Sequence, residues 1–159
     1  MNKSYTVNFE QLESWKELNS NDLELAKKAF EASEQAYAPY SEFKVGASVK
    51  LDTGEIISGS NQENIAYPSG LCAERVALFY AGSNFPNSKI DTICVVAKGD
   101  LIPVDKILSP CGGCRQVMIE SEGRQASLMR VVLISQNGVT LVFQSSKDLL
   151  PLAFGFSPS

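Results

Sequence analysis

The chain contains no histidine among its 159 residues. This absence excludes every site that depends on imidazole, including the Ser/His/Asp triad, the Cys/His pair and the His-Glu-x-x-His metal helix. A strong nucleophile in this protein therefore has to be generated by other side chains or by a metal.

Long apolar runs and clusters of positive charge are also missing. The formal net charge is −4, and the 14 lysine and arginine residues stand singly except for the pair Lys27 and Lys28. Without a basic stripe we do not expect nucleic acid as a partner. The first ten residues lack the apolar core of a signal peptide, and there is no apolar run of membrane-spanning length. These absences predict a cytoplasmic protein without a membrane partner.

Thiols, in contrast, are grouped in two short segments. Cys72-Ala73-Glu74-Arg75 is followed downstream by Pro110-Cys111-Gly112-Gly113-Cys114-Arg115. A Cys-x-Glu segment followed by Pro-Cys-x-x-Cys is the all-cysteine form of the zinc deaminase signature, in which three sulfurs bind the metal and the glutamate moves protons. In a reducing compartment this spacing favours metal or redox chemistry over disulfide bonds.

We expect one Zn²⁺ per chain, bound by Cys72, Cys111 and Cys114. Two of these cysteines fall at predicted helix N-termini, where free N–H groups and the helix dipole favour the thiolate form that zinc requires. Three sulfurs leave the fourth tetrahedral position for water, whose pKa the metal lowers toward neutrality. The cluster therefore supplies the nucleophile that a chain without histidine otherwise lacks.

The charged residues of the two segments have expected roles beside this metal. Glu74 follows Cys72 by two positions, so it can reach the same pocket and carry protons during a hydrolytic deamination. Arg75 and Arg115 are expected to pair with the sulfurs and to offset the negative charge of three thiolates.

The pattern of apolar residues and turns predicts an N-terminal extension over 1–19 and a catalytic domain over 20–159. A helix is predicted to begin at Asn21, where Asn21 and Glu24 have capping-box spacing, and to be stopped by Pro39. The remaining predicted elements are strands over 45–51, 55–60, 90–97, 129–134 and 139–143, and helices over 72–81 and 111–120. This order predicts a three-layer α/β/α domain with a five-stranded mixed sheet.

The chain resembles the short, single-domain, homotetrameric cytidine deaminases over residues 21–156. The resemblance is carried by five motifs in order, at residues 38–47, 61–68, 72–75, 110–116 and 149–155. It implies a zinc-dependent enzyme that converts cytidine and deoxycytidine to uridine and deoxyuridine plus ammonia in pyrimidine salvage. The chain departs from the family pattern at its first 19 residues, which precede the usual start, and at Phe156, where a proline commonly stands.

The resemblance also implies roles for residues outside the two cysteine segments. Phe43 would stack on the pyrimidine, Asn61 and Glu63 would hold the ribose hydroxyls, and the Ala73 backbone N–H would meet the carbonyl of the base. Family members pass residues into a neighbouring subunit's site, which here correspond to Ala66, Tyr67 and Phe154. The implied partners are a small nucleoside substrate and three further copies of the chain.

Three alternatives remain open from the sequence. The segments around Cys111 and Cys114 also resemble blasticidin-S deaminase, although Phe43 and Asn61-x-Glu63 belong to the nucleoside-binding pattern. Cys111 and Cys114 have the spacing of a redox pair, which would leave Cys72-x-Glu74 unexplained. A closed Cys₄ zinc site without catalysis would need Cys94, which lies in an apolar strand where a buried thiol is the ordinary expectation.

Overall fold

The computed structural model describes residues 1–155, which form one mixed sheet of six strands with helices on both faces. The three-layer α/β/α architecture agrees with the prediction, but the prediction of five strands was wrong. The strands are β1 (Glu10–Leu12), β2 (Lys44–Leu51), β3 (Ile56–Ser60), β4 (Ile90–Lys98), β5 (Arg130–Ile134) and β6 (Thr140–Phe143). The helices are α1 (Ser20–Ser33), α2 (Ala73–Asn84) and α3 (Gly112–Gly123).

The sheet has the order β1-β6-β5-β4-β2-β3. Strand β4 is central, and its pairing with β5 is parallel while every other pairing is antiparallel. The two last strands, β5 and β6, form an antiparallel hairpin. Because β4 is covered on both faces, its apolar residues are continuous in the sequence rather than alternating with polar ones.

Successive residues of β4 contribute to two separate hydrophobic cores. Ile93 and Val95 face the layer of α2 and α3, whereas Cys94 and Val96 face the layer of α1. This division follows from the period of two in a strand, which sends alternate side chains to opposite faces of the sheet. The two faces therefore have different chemical surroundings along the same strand.

The sixth strand lies within the predicted N-terminal extension. Glu10–Leu12 pairs antiparallel with β6 at the edge of the sheet, and Leu18 is buried in the α1-side core. Trp15 packs against Phe30 of α1, with ring centroids 5.1 Å apart. A three-residue edge strand is too short to show an alternating pattern, so the sequence did not reveal it. The boundary between an extension over 1–19 and a catalytic domain over 20–159 stays a prediction.

Helix boundaries differ from the predictions at both ends of α1. The N-cap is Asn19, whose side chain accepts a hydrogen bond from the Asp22 N–H, so the predicted capping box at Asn21 was wrong. The helix ends at Ser33, well before Pro39. The reason is tertiary: Tyr37 donates its N–H to the Asn61 carbonyl and accepts from the Glu63 N–H, which binds the backbone after α1 to the end of β3.

The site lies where β3 and β4 end and where α2 and α3 begin. Close packing of α2 on β3 depends on Gly59, because a Cβ there would lie 2.9 Å from the Ala73 carbonyl oxygen. Helix α2 continues through Gly82 to Asn84, three residues beyond the predicted end at residue 81. None of the helices within residues 1–155 combines the length and apolar character that crossing a bilayer requires.

Candidate active site

Three cysteines meet at the facing N-termini of α2 and α3. Cys72 is the N-cap of α2, Cys111 is the N-cap of α3, and Cys114 lies in the first turn of α3. Their three Sγ atoms lie within 4.8 Å of one another, and those of Cys111 and Cys114 are 3.5 Å apart. The Cys-x-x-Cys spacing brings both α3 sulfurs to the same helix end, and the fold adds the third sulfur from α2.

The electrostatics of the cluster favour a thiolate at Cys72. Hydrogen bonding with Cys114 and the nearby Arg75 guanidinium lower the pKa of Cys72 to about 5, although partial burial opposes this change. The same hydrogen bonding with Cys72, together with burial, raises the pKa of Cys114. A group of three thiol ligands at two helix N-termini is a donor set that zinc accepts in tetrahedral sites. The residues present therefore fit a zinc ion, with one position left for a further ligand.

The two arginines of the motifs differ in what they contact. The Arg75 guanidinium donates to Cys72 Sγ at 3.4 Å, as expected for a residue that offsets thiolate charge. Arg115 instead donates to the Pro110 carbonyl, the Leu149 carbonyl and Ser109 Oγ, at 2.9, 2.9 and 2.6 Å. The hydrogen bonds of Arg115 thus differ from the predicted pairing with a sulfur. They hold the loop before Cys111 against the C-terminal segment.

Glu74 is a buried carboxyl group beside the three sulfurs. It lies in the first turn of α2, is only 4% exposed and lines the pocket. Burial raises the pKa of Glu74, and the charge of Cys72 adds to the increase, while its own backbone N–H and Arg75 oppose it. A raised pKa makes the carboxylate a stronger base, which favours a role in accepting and then releasing a proton.

A pocket of about 630 Å³ opens above the sulfurs and Glu74. Of the predicted site residues, the pocket brings together Phe43, Asn61, Glu63, Tyr67, Cys72, Glu74, Arg75 and Cys111. Phe43 immediately precedes β2 and is half-buried, so it packs against the hydrophobic core and also lines the pocket. The volume suits a ligand of nucleoside size.

Asn61 and Glu63 form part of the same wall and are tied to the backbone near Phe43. The Asn61 amide donates to the Phe43 carbonyl and accepts from the Val45 N–H, both at 2.8 Å. These bonds leave Asn61 one further donor hydrogen and one acceptor lone pair. Glu63 accepts from the N–H groups of Tyr40 and Ser41 and from the Ser41 hydroxyl, and the hydroxyl bond is the main cause that lowers the pKa of Glu63.

The other predicted residues lie at or beyond the margin of the pocket. Ala73 is buried as the first residue of α2, where backbone N–H groups have no partner within the helix. Tyr67 is 75% exposed, and Ala66, which is also exposed, is absent from the pocket lining. Phe154 is 90% exposed, and its carbonyl accepts a hydrogen bond from the Gln116 side chain at 2.6 Å. Phe156 lies outside the described residues.

Cys94 is remote from the cluster. Its side chain is fully buried in the α1-side core, on the opposite face of the sheet from α2 and α3. Burial, and secondarily the charge of Asp22, raises the pKa of Cys94, so this thiol stays protonated. The metal-ligand group found among residues 1–155 contains Cys72, Cys111 and Cys114 without Cys94. A closed Cys₄ site is therefore incompatible with this fold.

Sequence reasoning missed several residues that shape the pocket. Ser41 lies within a recognised motif, but its bond to Glu63 joins residues 22 positions apart and has no local signature. Leu101 and Leu108 also line the pocket and belong to a loop without periodicity. A motif search finds residues that do chemistry, and it passes over those that support them.

Comparison with known proteins agrees with this geometry. Residues 19–130 match the family described as "Cytidine and deoxycytidylate deaminase zinc-binding region". The chain is 42% identical over 96 residues to the cytidine deaminase of Halalkalibacterium halodurans, which covers 60% of this chain and 68% of that protein. It is 35% identical over 127 residues to the cytidine deaminase of Mycobacterium tuberculosis, covering 80% and 84% respectively.

A further relative and a solved structure extend the comparison. The blasticidin-S deaminase of Bacillus cereus is 33% identical over 140 residues, covering 86% of this chain and 94% of that protein. The structure of cytidine deaminase from Burkholderia pseudomallei superposes with a TM-score of 0.70 at 41% identity, covering 83% of this chain and 98% of that one. With the three sulfurs, the neighbouring carboxyl group and these matches in agreement, this chain belongs to the cytidine and deoxycytidylate deaminase family.

Proposed function

We propose that this protein is a zinc-dependent cytidine deaminase that hydrolyses cytidine and deoxycytidine to uridine and deoxyuridine plus ammonia. The observation that carries the proposal is the cluster of three cysteine sulfurs beside a pocket of about 630 Å³, which Cys72, Cys111 and buried Glu74 line. The relatives of Halalkalibacterium halodurans and Mycobacterium tuberculosis, both named cytidine deaminase, support the same reaction.

Cys72, Cys111 and Cys114 would hold the zinc ion, one per chain. When bound, zinc supplies a Lewis acid that makes water an effective nucleophile near neutral pH. Arg75 stabilises the thiolate of Cys72 through its hydrogen bond and thereby reduces the negative charge that three sulfurs bring to the site.

Glu74 is the proton carrier in this proposal. Its carboxylate takes a proton from the attacking water and delivers it to N3 of the cytosine ring. It then takes the second proton from the added oxygen and gives it to the 4-amino group, which leaves as ammonia while the C4 carbonyl forms. Burial favours this role because the raised pKa lets one carboxyl group act as base and then as acid.

The wall of the pocket would bind and orient the nucleoside. The Phe43 ring offers an apolar face to the pyrimidine, and the Glu63 carboxylate keeps lone pairs free for ribose hydroxyls after accepting from Tyr40 and Ser41. The remaining donor and acceptor of Asn61 suit the same sugar. The backbone N–H of Ala73, at the start of α2, would donate a hydrogen bond to the carbonyl of the base.

The substrate class is tested by adding five compounds to the purified zinc-loaded protein and following the change in absorbance. Cytidine and deoxycytidine should be converted to products that chromatography identifies as uridine and deoxyuridine. Cytidine monophosphate, adenosine and blasticidin S are the competing classes. Turnover of blasticidin S without turnover of cytidine would overturn the proposal.

Blasticidin-S deamination is the second candidate. Its support is the similarity to the blasticidin-S deaminase of Bacillus cereus, which spans more of this chain than the two cytidine deaminases described above. Against it stand Phe43 and the pair Asn61 and Glu63 on the pocket wall, since these residues belong to the nucleoside-binding pattern. The same five-compound assay separates the two candidates directly.

We further propose a cytoplasmic homotetramer with shared sites. Its support is the exposed apolar surface at the C-terminal segment, where Leu152 is 95% and Phe154 is 90% exposed, because such side chains favour burial against another subunit. Removal of residues 153–159 should reduce both assembly and activity. Light scattering that finds the intact chain to be a fully active monomer would overturn this part of the proposal.

A further inference from the structure

The turn between β5 and β6 holds both ends of the loop that leads from β4 to α3. Gln136 Oε1 accepts from the Gly99 N–H at 2.9 Å, and Gln136 Nε2 donates to the Ile102 carbonyl at 3.2 Å. Ser135 Oγ accepts from the Leu108 N–H at 3.0 Å. The backbone of residues 99–108 is therefore anchored at its start by Gln136 and at its end by Ser135.

This anchored loop forms one wall of the pocket. Leu101 and Leu108 line the pocket, and so do Ser109 and Pro110, which lead directly to Cys111. Among the described residues, Gln136 itself is not part of the lining, so any effect of Gln136 on a ligand has to pass through the loop. The Gln136 bonds act at the part of the loop distant in sequence from Cys111.

The start of the same loop also packs against the segment that carries Phe43. Gly99 adopts φ 138° and packs so tightly against the turn before β2 that a Cβ would lie 2.6 Å from the Glu42 carbonyl and 3.2 Å from Phe43 Cδ2. Glu42 has φ 54°, a conformation that is uncommon for residues other than glycine and persists only where its surroundings fix it. The Gln136 bond to Gly99 thus reaches Phe43 through direct packing.

We propose that Gln136 is a positioning residue for substrate binding, which fixes Gly99 and Ile102 so that Phe43 and Leu101 are held in place in the lining of the pocket. This inference rests on the proposed function, since the ligand is taken to be a nucleoside bound against Phe43. Glu74 and the three sulfurs stand on α2 and α3, which Gln136 does not contact. Its loss should therefore weaken binding while leaving the chemical step and the metal intact.

Gln125 provides a matched control at the other end of the sheet. Its Oε1 accepts from the Ile90 N–H and its Nε2 donates to the Ile90 carbonyl, both at 2.8 Å, at the start of β4. Like Gln136, it is half-buried and uses both ends of its amide to hold backbone. A variant of Gln125 loses these two bonds and a third, from Nε2 to the Ser127 carbonyl at 3.3 Å, and Gln125 does not line the pocket that contains Phe43 and Leu101.

The experiment compares Gln136→Met with Gln125→Met in the zinc-loaded protein. Methionine keeps the length of the side chain and removes the hydrogen bonds of the amide. For Gln136→Met we expect KM for cytidine to rise about tenfold, the size expected from one or two lost hydrogen bonds, while kcat changes less than about twofold. The dissociation constant of uridine, measured by calorimetry, should rise in parallel, and zinc should remain at one per chain.

Gln125→Met should keep the KM of the wild type even if its melting temperature falls as much. Equal KM values in the two variants, or a loss of kcat and zinc in Gln136→Met at unchanged KM, would overturn the positioning role. If Gln136→Met does not fold, Gln136→Glu and Gln125→Glu form a second pair with the same expectation, because glutamate keeps the acceptor and loses the donor. A zinc-loaded wild type that leaves cytidine unchanged would refute the proposed function itself.

Discussion

Two cysteines on opposite faces of the sheet have thiol pKa values that are shifted in opposite directions. On the α1 face, Cys94 lies among Val96, Val132 and Ile134, and burial raises the pKa of its thiol. On the other face, Cys72 lies at the start of α2, where hydrogen bonding with Cys114 and then with Arg75 lowers its pKa to about 5. Both residues are cysteines, so their difference in chemistry comes entirely from what the fold places around the sulfur.

This contrast identifies what converts a packing thiol into a ligand. A strand interior offers no free N–H groups and no cation, so a thiol there behaves as a small apolar side chain. A helix N-terminus offers unsatisfied N–H groups and the positive end of the helix dipole, which favour the thiolate. Variants of the cysteines and of the residues near them test whether these surroundings decide the role of each thiol.

The largest expected effect follows from removing one sulfur of the cluster. Cys72→Ala, Cys111→Ala or Cys114→Ala leaves too few ligands for a stable tetrahedral site, so each variant should lose both bound zinc and cytidine turnover. Elemental analysis after dialysis and a turnover assay on the same sample measure the two losses together. A variant that keeps one zinc per chain and full activity would show that its cysteine is not a ligand.

The next effect separates proton transfer from metal binding. Glu74→Gln keeps the shape and the burial of the side chain but cannot relay protons, so kcat should fall by at least about 10²-fold to 10⁴-fold, the usual contribution of a general acid–base group. Zinc content and uridine affinity should stay close to those of the wild type. More than about a tenth of the wild-type kcat remaining would remove Glu74 from the proposed role.

A smaller effect is expected on the wall of the pocket. Glu63→Ala removes the acceptor for Tyr40 and Ser41 and the proposed partner of the ribose hydroxyls. We therefore expect kcat/KM for cytidine to fall by an amount that corresponds to about 1–3 kcal/mol of lost transition-state stabilisation. Zinc should remain bound because Glu63 makes no contact with the sulfurs. The kinetic parameters for cytidine and the zinc content of the variant measure the two effects.

The matched variant at this wall is Ser41→Ala, which removes one of the bonds to Glu63 and keeps the carboxylate. It should fall between the wild type and Glu63→Ala in kcat/KM. Unchanged kinetics in both variants would make Glu63 an ordinary surface residue and would strengthen the alternative of an antibiotic deaminase.

The sequence predicted the site better than it predicted the ends of the elements. Cys-x-Glu and Cys-x-x-Cys are chemical patterns whose spacing has few structural solutions, and the fold does bring their sulfurs together. The six-stranded sheet was missed because Glu10–Leu12 is defined by its pairing with β6 rather than by its own composition. The end of α1 was missed for the same reason, since the bonds of Tyr37 are to residues 61 and 63.

The contacts of residues that hold the loops around the site could not be predicted from the sequence, for a related reason. Arg115 was expected beside a sulfur because of its place in the motif, but its guanidinium finds the carbonyls of Pro110 and Leu149. Gln136 had no signal at all, since its partners Gly99 and Ile102 lie more than thirty positions away. A single sequence shows which atoms can react, whereas the contacts that hold them appear only after folding.

The smallest effect is expected from Cys94, the cysteine on the α1 face of the sheet. Cys94→Ala is the same substitution as at the three ligands, but here it removes one fully buried sulfur from an apolar core and should lower the free energy of unfolding by about 1 kcal/mol. Zinc should remain at one per chain, and the kinetics with cytidine should match those of the wild type, because Cys94 faces α1 and the site faces α2 and α3. Cys94→Val, which fills the space, should recover most of the stability, as measured by denaturant unfolding of the zinc-loaded protein. Zinc release in either variant would mean that Cys94 takes part in the metal site, and the difference between the two faces would then have another cause.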